Sequence, residues 1–123
     1  MRIGVDLTSV SQIAHALSVS TQFASTVFSH GEQEYAGQMS EYRAHEFLAG
    51  RFAVKEAVLK ALHVRLNDAI ALCDIETIAA EDGHPELHLS ASALRASELL
   101  NLSQWQVSIS HENDLAIALV IAF

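Results

Sequence analysis

Hydrophobic positions recur along this chain with two periods, and the switches between them lay out the elements. Arg2 to Leu7 is short and apolar around Gly4 and Asp6, which predicts a strand ending where Thr8 and Ser9 can cap a helix. From Ser11 to Phe28, Ile13, Leu17, Phe23, Val27 and Phe28 stand at mixed helical spacing, predicting two short helices broken near Val19 to Thr21. Ser29 to Gln38 predicts a further short helix bearing Tyr35. Ser40 is a good N-cap for a long helix that continues through Leu62, with Phe47, Val54, Val58, Ala61 and Leu62 on or near one face. Arg65 to Ala71 is ambiguous. Asp74 to Ala79 alternates, turns at Glu81, Asp82 and Gly83, and alternates again over Pro85 to Leu89, which is a hairpin signal. Ser90 caps a helix to about Leu100, with Leu94, Leu99 and Leu100 as its apolar contacts. Gln104 to Ser110 and Leu115 to Phe123 form a second hairpin through His111, Glu112, Asn113 and Asp114. The apolar last stretch is too short to cross a bilayer as a helix and reads as a buried strand. The content is α+β.

With 123 residues, half of them apolar, the chain reads as one domain over 1–123, with room for one core. It is too small for a two-lobed nucleotide-binding fold. A net charge of −8 argues against general nucleic-acid binding, which needs a basic surface. The distribution of charge adds more. Five of the seven Lys and Arg residues (Arg43, Arg51, Lys55, Lys60 and Arg65) are clustered, while Ile3 to Tyr42 contains none. An acidic protein that keeps its cations together points them at something anionic, the alternative being a chance cluster of helix formers. Cys73 is alone, so no disulfide forms within the chain and a reducing cytoplasm fits. The opening MRIGVDLTSV has an early Asp and no long apolar core, so no signal peptide and no membrane anchor are expected.

On the long helix, Arg51 and Lys55 stand one turn apart, as do Glu56 and Lys60. The second pair also reads as an exposed ion pair worth about 0.3–0.5 kcal/mol and nothing more. Asp6, set in apolar sequence, either helps to cap the following helix or ligates a metal. P-loop, dinucleotide-binding, HExxH and GxSxG patterns are absent. The seven histidines match no zinc spacing. What remains is Asp6, Glu56, a cationic helix and His111. Two carboxylates on different elements, without soft ligands, suit a hard cation such as Mg²⁺.

The sequence resembles the holo-acyl-carrier-protein synthase family of phosphopantetheinyl transferases from end to end: GVD near the start, FLAGRFAVKEAVLKAL in the middle, DGHP in the turn and VSISHENDLAIALVIAF at the C-terminus. The resemblance implies a small antiparallel sheet packed on one long helix and shorter helices. It implies Mg²⁺-dependent transfer of the phosphopantetheine arm of coenzyme A to a serine of an acyl or peptidyl carrier protein, releasing adenosine 3′,5′-bisphosphate. Asp6 and Glu56 match the magnesium ligands. Lys60 would hold a phosphate oxygen. Arg51 and His111 match contacts to the nucleotide or its phosphates, and Pro85 of the DGHP turn falls with the coenzyme A-binding positions. Glu56, Lys60 and His111 are the catalytic candidates, with Glu56 taking the serine proton directly or through a water. Family members form homotrimers with shared sites. A non-catalytic homologue that binds coenzyme A or carrier protein is the alternative, and a phosphohydrolase a more distant one.

Three departures stand out. His63, Val64 and Arg65 follow KAL where the family usually has a glycine-rich turn, so the path beside the phosphates differs or the helix runs on. His84 replaces a common lysine. The helix after GVD, SQIAHALSVS, lacks the arginines with which the family docks acidic carriers, leaving only His15 to supply positive charge. A dedicated or less acidic carrier is therefore expected.

Overall fold

The structure, a computed structural model, describes residues 1–64 and 69–123. Residues 65–68 of the ambiguous stretch Arg65 to Ala71 lie outside the described residues. Strand β1 (Arg2–Ser9) leads into helices α1 (Val10–Val19), α2 (Phe23–Val27) and α3 (His30–Ala36), then the long α4 (Glu41–Leu62). A 3₁₀ turn (Leu72–Asp74) precedes the hairpin β2 (Ile75–Ala79) and β3 (Pro85–Leu89), helix α5 (Ala91–Leu99) and the hairpin β4 (Trp105–Glu112) and β5 (Leu115–Ala122). Among the described residues the strands form two antiparallel sheets, a three-stranded one in the order β1-β5-β4 and the pair β2-β3. The α+β content, the break between α1 and α2 and the long helix all follow the periodicity.

Helix α4 spans about 33 Å at 1.5 Å per residue and lies along the three-stranded sheet. Its approach is close because the contact is built from small groups. Ala49, Ala53, Ala57 and Ala61, spaced one turn apart, are fully buried, as are Ala116, Ala118 and Ala122 of β5. At Gly4 a Cβ would stand 1.9 Å from the Ala57 carbonyl oxygen, so only glycine fits between strand and helix. Val54, Val58, Ile75 and Val120 complete one core cluster, and Val10, Ile13, Phe28 and Leu48 centre a second beneath α1–α3. Burial of α4 is thus broader than one face, and it takes in charged residues. Lys55 is wholly enclosed; its ammonium donates to Glu32 Oε1 at 2.7 Å, to Leu72 O at 3.1 Å and to Ile75 O.

Several local expectations are corrected. Strand β1 runs on to Ser9, so Asp6 stands mid-strand opposite Ala118 and does not cap α1. Ser9 and Asp114 do that: Ser9 Oγ accepts from Gln12 N, and Asp114 accepts from Ser11 N at 3.1 Å and from both serine hydroxyls. The Ser90 hydroxyl does not cap α5 either; Asp74 accepts the Ser92 N–H at 3.0 Å. Leu94, Leu99 and Leu100 are exposed, and α5 buries Ala93 and Ser97 instead. Ser97 Oγ fixes that face by accepting from Trp105 Nε1 and donating to Leu102 O. His111 and Glu112 belong to strand β4, leaving Asn113 and Asp114 as the turn. Helix α4 does not run on past Leu62: His63 takes the left-handed conformation (φ 60°), with its N–H on Lys60 O and that of Val64 on Leu59 O. β5 is buried on one face only; Leu115, Ile117 and Leu119 on the other are exposed, beside Ile3, Val5 and Leu7 of β1.

The Gly4 contact yields the first prediction. Gly4→Ala should destabilise the fold by about 3 kcal/mol or more, because the obstructing atoms are helix backbone that cannot swing aside. Denaturant midpoints of the two proteins measure it.

Candidate active site

The polar residues of α4 are sorted by the surfaces they meet. Towards its C-terminal end the helix lies on β1, and the inward face of that strand carries Gly4, Asp6 and Thr8. Lys60 Nζ donates to Asp6 Oδ1 at 3.0 Å and to the Val5 carbonyl at 2.9 Å, and Thr8 Oγ1 donates to Asp6 Oδ2 at 2.9 Å. An ammonium has three donors, so one remains for a further acceptor. Lys60 is therefore the partner of Asp6, and the expected exposed Glu56–Lys60 pair gives way to a three-residue group. Burial and the neighbouring Asp6 push the Glu56 carboxyl above its ordinary value, with Lys60 pulling the other way. Two carboxylates thus stand near one lysine, and that shortfall of positive charge adds to burial in raising the proton affinity of Glu56. A hard divalent cation would remove the same shortfall, and oxygen donors on facing elements are its preferred ligands. The residues present fit such an ion.

Arg51 and His111 meet elsewhere. With Met39, Arg43, Glu46 and Phe47 they line a cavity of about 150 Å³, in which Glu46 stands 3.9 Å from Arg43 Nε. Arg51 is largely buried, with Nε donating to Thr77 O at 3.3 Å and its guanidinium carbon 4.0 Å from the centre of the Phe47 ring. Burial lowers its pKa, while Glu32 and Tyr35 act to raise it. His111 Nε2 lies 3.0 Å from the Glu46 carbonyl, so the ring is held to α4 and does not cap a turn. Across the sheet His111 is in register with Ala116 and Thr8, about 10 Å from β1 at ordinary strand spacing. Pro85 opens β3 opposite Ala79, two residues beyond the carbonyl that holds Arg51.

The candidate residues therefore form two groups along α4, Asp6, Glu56 and Lys60 towards its C-terminal end and Arg43, Arg51 and His111 around the cavity nearer its start. From Glu46, which anchors His111, to Lys60 is about 21 Å of helix. Arg43, which lines the cavity beside Arg51 and His111, was not among the site candidates; its clustering with Arg51 was the signal available. Lys55, one of the clustered cations, spends its charge on Glu32.

Residues 2–120 match the family model described as the 4′-phosphopantetheinyl transferase superfamily. The holo-[acyl-carrier-protein] synthase of Gloeobacter violaceus is 38% identical over 120 residues, covering 97% of this chain and 89% of that protein. Among solved structures, the Chronobacterium ammoniagenes ACPS–CoA complex is similar with a TM-score of 0.81 and 32% identity, over 97% of this chain and 93% of that one. A holo-(acyl-carrier-protein) synthase from Bacillus anthracis str. Ames in complex with CoA (3′,5′-ADP) gives a TM-score of 0.81 and 29% identity, over 98% and 94%.

The raised pKa of Glu56 sets the second prediction. A carboxyl with more proton affinity in the folded than in the unfolded chain favours folding most below the ordinary carboxylate range. That contribution is lost as pH rises through the raised value. Glu56→Gln, which mimics the protonated form, should raise the thermal midpoint at pH 7 without divalent ions, by on the order of 2 °C given the partial exposure. The gain should shrink towards pH 4. Thermal scans at both pH values decide it.

Proposed function

The chain belongs to the 4′-phosphopantetheinyl transferase superfamily, and from that membership we propose that it transfers the phosphopantetheine arm of coenzyme A to a serine of a carrier protein. The observation that supports this reading is that α4 gathers two groups, Asp6, Glu56 and Lys60 in one and Arg43, Arg51 and His111 in the other. Coenzyme A has the matching plan, with a pyrophosphate between the pantetheine arm and a phosphorylated nucleoside. Arg51 and His111, with Arg43, take the nucleotide end, with Pro85 beside them on the hairpin. Asp6 and Glu56 would hold Mg²⁺, and Lys60 would turn its remaining N–H to a pyrophosphate oxygen. Bound there, the ion would neutralise charge on the pyrophosphate oxygens as the leaving bond breaks. The serine oxygen attacks the phosphorus that bears the pantetheine arm, the bond to the other phosphate breaks, and adenosine 3′,5′-bisphosphate leaves. Glu56 takes the serine proton, directly or through a water. Among the described residues no helix is long and apolar enough to cross a membrane, and a cytoplasmic setting fits the lone Cys73.

The carrier partner is dedicated or less acidic than a general fatty-acid carrier. Helix α1 exposes Ser11, Gln12, His15 and Ser18, with no lysine or arginine in its sequence, and the protein carries a net charge of −8. Incubating an apo carrier with the protein, coenzyme A and Mg²⁺ should add one phosphopantetheine to its mass, and Glu56→Gln should slow this at least about a hundredfold. Fast, salt-sensitive modification of an acidic fatty-acid carrier would overturn the carrier assignment while leaving the transfer intact.

The working form is a homotrimer. The outer face of the three-stranded sheet presents Ile3, Val5, Leu7, Leu115, Ile117 and Leu119 to solvent, a contiguous apolar surface of the kind that marks an interface. It adjoins a cavity of about 410 Å³ that His111 also lines, so a copy covering this face would close over part of the site. Leu119→Glu should yield monomers in light scattering and lose most transfer activity. A wild-type monomer with full activity would refute the assembly.

A further inference from the structure

Gly50 stands enclosed in the middle of α4, four residues after Glu46. Glycine is the poorest residue for a helix interior after proline, because it has the most backbone freedom to lose and no side chain to pack. The alanines on either side, at Ala49 and Ala53, show what the helix uses where it has only to fit closely. At Gly50 a Cβ would come within 2.9 Å of His111 Nε2, 3.2 Å of His111 Cε1 and 3.2 Å of Ile109 Cγ2. All three atoms belong to side chains of β4, and the closest two to one ring. The bare Cα is the seat of the His111 imidazole.

That seat also fixes the ring's chemistry. His111 Nε2 lies 3.0 Å from the Glu46 carbonyl oxygen. A carbonyl only accepts, so Nε2 carries the hydrogen, and Nδ1 is the one ring nitrogen left for another partner. In an α-helix the Glu46 carbonyl also receives the Gly50 N–H, so the ring shares its acceptor with the residue that makes room for it. Turned off this seat, His111 would leave the cavity it lines with Arg43 and Arg51.

We propose that Gly50 is a positioning residue: by having no side chain it lets His111 rest on α4 with Nε2–H on the Glu46 carbonyl, so that Nδ1 is the nitrogen offered to the nucleotide end of the substrate. The proposal rests on the reading of His111 as a coenzyme A contact. Its test has a part that does not. In ¹⁵N NMR of the imidazole, the wild-type protein should show the neutral ring protonated at Nε2, and Gly50→Ala should lose that state while keeping a cooperative thermal transition. The kcat/KM for coenzyme A should fall about tenfold in Gly50→Ala. His111→Ala should fall by a comparable factor, and the double variant should be no worse than His111→Ala alone, since Gly50 acts only through the ring. A wild-type ring protonated at Nδ1 would overturn the proposal even if Gly50→Ala failed to fold. So would a double variant whose losses multiply. A wild-type protein that transfers nothing would overturn the functional reading instead, with the ring measurement still deciding where His111 sits.

Discussion

Where a side chain would stand at Gly4, the backbone of Ala57 stands instead. That contact sets how far α4 lies from the sheet, and the alanine stripe on either side keeps the distance along the helix. Once the two backbones are this close, a side chain on the sheet side of α4 meets strand carbonyls and the inward residues of β1. Lys60 reaches the Val5 carbonyl and Asp6 for this reason, and Glu56 comes near enough to Asp6 to feel its charge. The spacing of the carboxylate group is thus set by backbone packing, with little left to side-chain flexibility.

A helix buried so widely must find a partner for every polar side chain it carries. Lys55 and Glu32 are both fully enclosed, and desolvating two charges costs several kcal/mol, of order that recovered by their attraction and hydrogen bonds. The pair's structural effect lies in what it joins. Glu32 also accepts the Thr77 N–H at 2.9 Å, and Thr77 offers its carbonyl to Arg51. Helices α3 and α4, the Leu72–Asp74 turn and strand β2 are tied at one point, and the cavity that Arg51 lines is built on the strand so fixed.

The helical part of the fold was legible because its signals are local: Ser29 and Ser40 mark starts, and the break near Ser20 divides α1 from α2. The caps of α1 and α5 were less so, since Asp114 and Asp74 reach them from distant segments. The sheet misled in a more instructive way. Alternation gave its strands, but β1 turns Gly4, Asp6 and Thr8 inward and Ile3, Val5 and Leu7 outward, the reverse of what hydrophobicity alone selects. The close approach of α4 demands small and polar groups inside. Of the site, Asp6, Glu56 and Lys60 form one group, while Arg51 and His111 meet in another. Nothing in residue spacing relates β1 to α4 or β4, so that grouping was legible only through the resemblance. Lys55 looked like its neighbours on the helix, and only packing separates it from them.

The register that places Asp6 beside Ala118 joins strands more than a hundred residues apart, and the serine clasp on Asp114 closes the same circuit. Contacts this distant in sequence are slow to form, because the intervening chain must be organised first. Among the described residues β1 pairs with β5 alone, and more than a hundred residues must be made after β1 before that partner exists. Until β5 emerges, Ile3, Val5 and Leu7 belong to an unpaired edge with an apolar face. The contacts of Asp6 with Lys60 and Thr8 need only β1 and α4, so that end of the site can gather before β5 completes the sheet between β1 and β4.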